Sequence, residues 1–339
     1  MDHRKEMILF SVVEKYISSA QPVGSSTVVK GGIKYSPATV RAEMSGLEEL
    51  GLLEQPHASA GRIPTDHGFR YYVDHVPERR RISAEDRNKL EALCHREHSS
   101  AGELIAETAQ YLSNLSRIVG MVMVVLAERS LLRAVHFREQ GRNRIRVIFH
   151  LQGGIQEELV IQNYWNLDPL SLQRLTNLIN KIAPGRTLIG LRRELIRQRE
   201  EARAQADILL ARAVDISEHL VAAEQPEVFI RGQANLFDLP EFSEVSKVRE
   251  VVRALEEKTL LAQMLEGINL TSGIRVIIGK ENRIASMQNC SVIARNYGRG
   301  EIAAGTLGVI GPTRMDYARL ISLVHFTSGL LSECLNRYE

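Results

Sequence analysis

Tyr35-Ser36-Pro37-Ala38-Thr39-Val40-Arg41-Ala42-Glu43-Met44-Ser45-Gly46-Leu47-Glu48-Glu49-Leu50-Gly51-Leu52-Leu53-Glu54-Gln55-Pro56-His57-Ala58-Ser59-Ala60-Gly61-Arg62-Ile63-Pro64-Thr65 is the stretch that decides the fold. Ser36 offers a side-chain oxygen to the open amides of a helix N-terminus. Pro37 takes the first helical position, where a missing N–H costs nothing. Val40, Met44 and Leu47 recur at helical spacing and predict a buried stripe. Thr39, Arg41, Ala42 and Ser45 fall on the flanking and opposite faces. Leu50-Gly51 closes the helix, and a strand, a turn tipped by Gly61 and a second strand follow. Gly61 is expected to supply the backbone angles of a tight hairpin tip. A capped helix followed by a short hairpin is the order of a recognition helix and a β-wing.

Upstream, Ile8, Val12, Val13, Tyr16 and Ile17 lie on one stripe of a helix expected over Arg4–Ser19, which Gln21-Pro22 stops. A short second helix is expected next, with Ser25 as N-cap and Val28 and Val29 inward, and Gly31-Gly32 as the turn. Helix, short helix, turn and third helix make a helix-turn-helix. Downstream, Thr65 can cap a helix from Asp66 to about His75 that packs Phe69, Tyr72 and Val73 on the core and leaves His67 and Arg70 exposed. Pro77-Glu78-Arg79-Arg80-Arg81 reads as a linker.

This order makes the N-terminal part a candidate reader of duplex DNA. The N-terminal half of a recognition helix reaches base edges in the major groove, which singles out Ser36, Thr39, Arg41 and Ser45. The planar guanidinium of Arg41 can pair with guanine O6 and N7. His57, Ser59 and Arg62 on the wing, and Arg70 behind it, are expected at phosphates or a minor groove. The plainer alternatives are an Arg41 that pairs with Glu48 or Glu49 or is simply solvated, and an ordinary surface hairpin. Charge placement favours the DNA reading, because Lys34 and Arg41 stand at the start of the third helix and its acids at or beyond Glu43.

The chain has 339 residues and a net charge of +2, with 44% hydrophobic and 25% charged residues. That length suggests two or three domains. No apolar run approaches the ~20 residues that span a bilayer, and the N-terminus reads as amphipathic helix rather than signal peptide. Cys94, Cys290 and Cys334 are scattered without a CxxC pair, which argues against a disulfide framework and fits a reducing cytoplasm. His95 and His98 share a helix face without further ligands at metal-site spacing. Gly298–Gly311 lacks the GK[ST] of a phosphate loop and ends in a strand, so its glycines read as turn and close-packing positions. No catalytic constellation is legible, and no metal or cofactor is expected.

Beyond residue 84 the chain alternates in blocks. Helices are expected to Ser116, then strands at Met121–Leu126, Leu131–Phe137, Arg144–His150 and Glu157–Ile161. A helical block follows from Asp168 to about Leu220, then a strand at Val228–Ile230 and a helix at Glu244–Leu265. Strands at Arg275–Ile278, Ser291–Ala294 and Ile302–Ile310 lead to a final helix from Arg314. The arginines of 192–203 suggest either a second nucleic-acid surface or, better, a mixed-charge helix packed through Leu191, Leu195, Leu209, Ile216 and Leu220.

Ser36–Arg41, Leu47–Gly51, Gln55–His57 and Ser59–Thr65 together resemble the HrcA family of bacterial heat-inducible transcription repressors. The resemblance continues through Asn235-Leu236, Pro240-Glu241-Phe242, Ile278-Gly279-Lys280-Glu281-Asn282 and Gly305–Tyr317, nearly the full length. Ala42, Ala58 and His67 depart from it, standing where the family commonly has Asn, Thr and Lys. The resemblance implies an α+β protein with a winged-helix DNA-binding domain at 1–80, a GAF-like domain from 81–165 and 268–339, and an inserted dimerising domain at 166–267. It further implies a cytoplasmic homodimer that represses chaperone operons by binding the CIRCE inverted-repeat operator, with activity modulated by the GroEL chaperonin. The rival expectation is a winged-helix regulator controlled by a metabolite in the GAF-like domain.

Overall fold

The computed structural model describes residues 1–75, 82–96, 98, 101–124, 131–141, 143–152, 154, 156–201, 208–223, 227–257, 261, 273–299 and 302–335. The Pro77–Arg81 run expected as a linker lies outside them.

The N-terminal unit follows its hydrophobic pattern. Helix α1 (His3–Ser19) buries Ile8, Leu9, Val12 and Val13. It ends at Ala20, whose left-handed backbone returns an N–H to the Tyr16 carbonyl. Helix α2 (Ser25–Lys30) buries Val28, with Gly24 rather than Ser25 at its N-cap. Helix α3 (Pro37–Glu49) buries Val40, Met44 and Leu47, as its spacing predicts. Strands β1 (Leu53–Glu54) and β2 (Ile63–Pro64) form the antiparallel wing. Helix α4 (Asp66–His75) returns Phe69 and Tyr72 to the same core.

Helices α5 (Ala84–His95) and α6 (Ala101–Ser116) precede a five-stranded sheet. Its strands are β3 (Val119–Val124), β7 (Glu227–Arg231), β8 (Ile274–Ile278), β9 (Cys290–Arg299) and β10 (Ile302–Pro312), in the order β7-β3-β10-β9-β8 and antiparallel throughout. Alternate residues face opposite sides, as strand geometry requires. Val122, Val124, Ile293, Leu307 and Val309 pack towards α6 and the closing helix α11 (Tyr317–Leu335). Met121, Met123, Val292, Ala294 and Ile310 pack on the other face with Phe242 and with helix α10 (Val245–Glu256) through Val248, Val251 and Leu255. A sheet covered on both faces explains the unbroken apolar reading of β3, whose six residues are all buried. Gly305 and Gly308 sit where a Cβ would strike the neighbouring strands' carbonyls, so these glycines do serve close packing. This mixed α+β architecture is the fold class expected from the sequence.

A second sheet, β4-β5-β6, is built from Leu132–Glu139, Arg144–Leu151 and Gln156–Gln162 and shares no ladder with the first. Helix α7 (Pro169–Asn180) covers its β4 edge. Asn180 takes the Val135 N–H at 2.8 Å and returns a bond to the Val135 carbonyl at 2.9 Å, while Thr176 takes the Phe137 N–H at 3.2 Å. Helices α8 (Leu188–Glu201) and α9 (Ile208–Ala223) pack together. Leu191, Leu195, Ile216 and Leu220 are buried, and Arg192 pairs with Glu218 and Arg197 with Glu194. Among the described residues this fits the mixed-charge reading of that helical block; the side chains of Arg199, Arg203 and Leu209 lie outside them. The strands of 132–162, grouped above with the GAF-like part, thus form a sheet of their own, and β7 joins the first sheet beside β3.

Cys94 of α5 and Cys334 of α11 are joined by a disulfide, their Cα atoms 5.7 Å apart. The scattered spacing had argued against such pairing; two helices that pack together bring residues 240 positions apart into contact. Cys290 remains a free, buried thiol, pushed up to about 12 by burial, and is correspondingly unreactive.

Candidate nucleic-acid interface

The N-terminus of α3 is built from its own side chains. Ser36 Oγ accepts the Thr39 N–H at 3.1 Å and lies 2.9 Å from the Thr39 hydroxyl. The capping geometry fixes the entry of the helix and leaves Ser36, Pro37 and Ala38 exposed. Arg41 and Ala42 continue that exposed surface, Ser45 is half-buried beyond it, and Lys34 is exposed just before the helix. The acids that could oppose DNA are largely compensated within the unit. Glu43 sits 3.3 Å from Arg4 and 3.7 Å from Lys5, and Arg4 also lies over the Tyr35 ring at 5.1 Å. Glu48 pairs with Arg62 at 2.9 Å. The Arg41–Glu48 pairing considered from sequence is thus pre-empted by Arg62.

The wing is anchored at its base and open at its tip. Val23 and Arg62 exchange two backbone hydrogen bonds, each 2.9 Å, so the chain before α2 adds a third rung beside the hairpin. Gly61 lies at this rung, not at the tip, and its φ is outside the left-handed region. A Cβ there would overlap the Val23 carbonyl, so the glycine is needed for close backbone approach. The tip is held by Gln55, whose Nε2 donates to the carbonyls of Ala58 at 2.9 Å and Ala60 at 3.0 Å. Pro56, His57, Ala58 and Ser59 project exposed. The sequence reading missed Gln55. Its only signal was an amide side chain at the foot of a loop rich in unpaired carbonyls.

Arg62 and Arg70 are placed differently from expectation. Arg62 is drawn in by Glu48, with 17% of its side chain exposed, and it ties the wing to α3. Arg70 does not join the helix and wing at all. Its Nε donates to Glu281 at 2.8 Å, a second guanidinium nitrogen bonds the same carboxylate and the Val276 carbonyl at 2.7 Å, and Asp74 lies at 3.3 Å. Burial pushes the Glu281 carboxyl up, but the bonds from Arg70 and from the Ile278 N–H outweigh it and leave the group below its ordinary value. Ser36, Thr39, Arg41 and Ser45 therefore share one helix, His57 and Ser59 a neighbouring tip, and Arg62 the brace between them. Arg70 belongs to the contact with the five-stranded sheet.

Comparison with known proteins matches this architecture. A family model described as HrcA protein C terminal domain covers residues 102–321. A heat-inducible transcription repressor HrcA from Geobacter sulfurreducens is 35% identical over 336 residues, spanning 99% of this chain and 98% of that protein. One from Shouchella clausii is 36% identical over 341 residues, spanning 100% and 99%. Among solved structures, a hypothetical protein determined at 2.2 Å aligns over 100% of both chains with a TM-score of 0.60 and 21% identity, which shows a shared fold. Among the described residues no helix is long and apolar enough to cross a membrane. The chain belongs to the HrcA family of heat-inducible transcription repressors, regulators of transcription rather than enzymes.

Proposed function

We propose that this repressor binds the CIRCE inverted repeat as a homodimer, each winged helix reading one half-site. The observation that carries the reading is the exposed N-terminal face of α3, where Arg41 stands exposed while Glu43 and Glu48 of the same helix are engaged elsewhere. Glu43 is taken by Arg4 and Lys5, and Glu48 by Arg62. Thr39, Arg41 and Ser45 face the base edges, Ser36 lies at the phosphate beside the helix N-terminus, and His57 and Ser59 reach the adjacent backbone. Arg62 acts first as a brace and presents its remaining guanidinium edge to DNA second. Two-fold symmetry of the protein mirrors an inverted repeat. Exposed Val160, Tyr164 and Leu170, close together in the chain on and after β6, support pairing through an inserted unit that we place at about 130–225. We assign the GAF-like part to the strands of the five-stranded sheet with α5, α6, α10 and α11.

Family resemblance supports modulation by the GroEL chaperonin and action in the cytoplasm at chaperone operons. Physically, a chaperonin that favours the DNA-competent conformer raises its population, and diverting the chaperonin to unfolded clients lowers it. The test is a gel shift of the full chain on the CIRCE duplex and on scrambled DNA, with and without GroEL. Preference for CIRCE that rises with the chaperonin is expected. Equal affinity for both duplexes rules out the operator reading. Binding that needs dialysable cell metabolites and ignores GroEL favours control by a ligand instead.

A further inference from the structure

We infer that α4 and the turn after β8 form a clasp that sets the spacing at which the two winged helices are presented, making Asp66, Arg70 and Glu281 positioning residues for half-site spacing. The inference rests on the dimeric operator reading above. The Lys280 N–H donates to Asp66 at 2.9 Å, and Arg70 forks onto Glu281 while also reaching the Val276 carbonyl at 2.7 Å. Gly279 takes a left-handed φ of 50° directly under Asp66, where any Cβ would collide with the carboxylate. Glu281 is itself oriented by the Ile278 N–H at 2.8 Å. A charge-assisted fork combined with a backbone bond to a carboxylate fixes direction as well as distance.

A second, separate anchor lies at the end of α1. Arg314, held by Glu241, donates to the Ile17 carbonyl at 2.5 Å, one of the acceptors that a helix C-terminus leaves open. Between the anchors, Phe69 packs on Tyr317 with ring centroids 5.7 Å apart. The winged helix is therefore held to the sheet domain at two points on two of its own helices, and a body held at two points does not swivel freely. The clasp also sits one turn from the wing. Thr65, which precedes α4, donates to the Gly51 carbonyl at 2.6 Å and receives the Gly68 N–H at 3.1 Å. Fixed presentation suits a single half-site separation. A loosened one tolerates several and loses effective concentration at each.

The experiment uses full-length protein and three duplexes: CIRCE, CIRCE with its spacer lengthened by about half a helical turn, roughly five base pairs, and a single half-site. Wild type should lose about tenfold or more on the lengthened spacer. Glu281→Ala should bind CIRCE about three- to tenfold more weakly and distinguish the two spacings by no more than about threefold. Its single half-site affinity should stay within about twofold of wild type, a result that a general folding defect would not give. Arg70→Glu should behave likewise, and adding Glu281→Arg should restore the discrimination, which loss of a direct Arg70–DNA contact would not allow. Spacing discrimination undiminished in Glu281→Ala overturns the inference, as does tighter CIRCE binding by that variant. If Arg70→Glu does not fold, Glu281→Ala decides alone. A wild type indifferent between CIRCE and scrambled DNA overturns the operator reading itself and this proposal with it, an outcome distinct from failure of the clasp alone.

Discussion

Arg41 and Arg62 carry the same charge on the same small unit, and their neighbours give them different work. Arg41 is exposed on α3. Truncating it to alanine should reduce the preference for operator over scrambled DNA by roughly 1–3 kcal/mol, the range for one bidentate base contact, and a competition titration measures it. Arg62 is bonded to Glu48 across the gap between wing and helix. As a brace it should share its effect with its partner. Arg62→Ala and Glu48→Ala should weaken DNA binding in the same direction, with the double variant no worse than the worse single one, a non-additivity that a double-mutant cycle reads directly. If only Arg62→Ala weakens binding, the brace has no role and the residue acts on DNA by itself. Gly61→Ala places a methyl against the Val23 carbonyl and should cost about 1–3 kcal/mol of stability in a thermal melt, as overpacking does. The need for glycine at 61 was legible in the sequence, but its reason was not. A hairpin tip is inferred from adjacent residues, whereas the rung to Val23 is a contact between distant ones.

At the scale of elements, α3 was the most legible because its signals are local. Ser36, Pro37 and the Val40–Met44–Leu47 stripe each act within one or two turns, and all appear as expected. Ser36→Ala should remove the bond to the Thr39 N–H and destabilise the unit by about 1 kcal/mol, the usual effect of losing an N-cap. The change should appear in melting before it appears in DNA specificity. The wing tip was less legible, because Gln55 works through its side chain on carbonyls three and five residues away. The strands β4, β5 and β6 were legible for the same local reason as α3, and they pair with sequence neighbours, as β9 and β10 do. The partnership of β3 with β7 and β10 was hidden, since more than a hundred residues of other structure intervene. Periodicity tells a strand from a helix, but it carries no address for the partner.

For the whole molecule, the winged helix and the sheet domain meet through charged groups whose balance depends on pH. Glu281 has its folded-state value depressed. Its contribution to stability is therefore full above the ordinary carboxylate range, near pH ~4.3, and is lost as pH falls through the lower folded value. Asp66, Asp74 and His67 border the same contact, so the useful quantity is a difference between two proteins. Wild type should melt above Glu281→Gln at about pH 5, and from there the margin should close as pH falls below about pH 4.3. A margin that widens on acidification would mean that Glu281 is not held as the charged partner of Arg70.

The Cys94–Cys334 bond has a topological consequence. It turns residues 94–334 into a covalent ring, with the winged helix as a tail outside it and the three-stranded sheet with α7, α8 and α9 threaded along the ring's own perimeter. A peptide bond cut anywhere on that perimeter opens the ring without dividing the molecule. Trypsin nicking among the arginines of α8 should therefore leave one full-mass band on a gel run without reductant and two bands once the bond is reduced, whereas a cut between α4 and α5 releases the DNA reader under either condition.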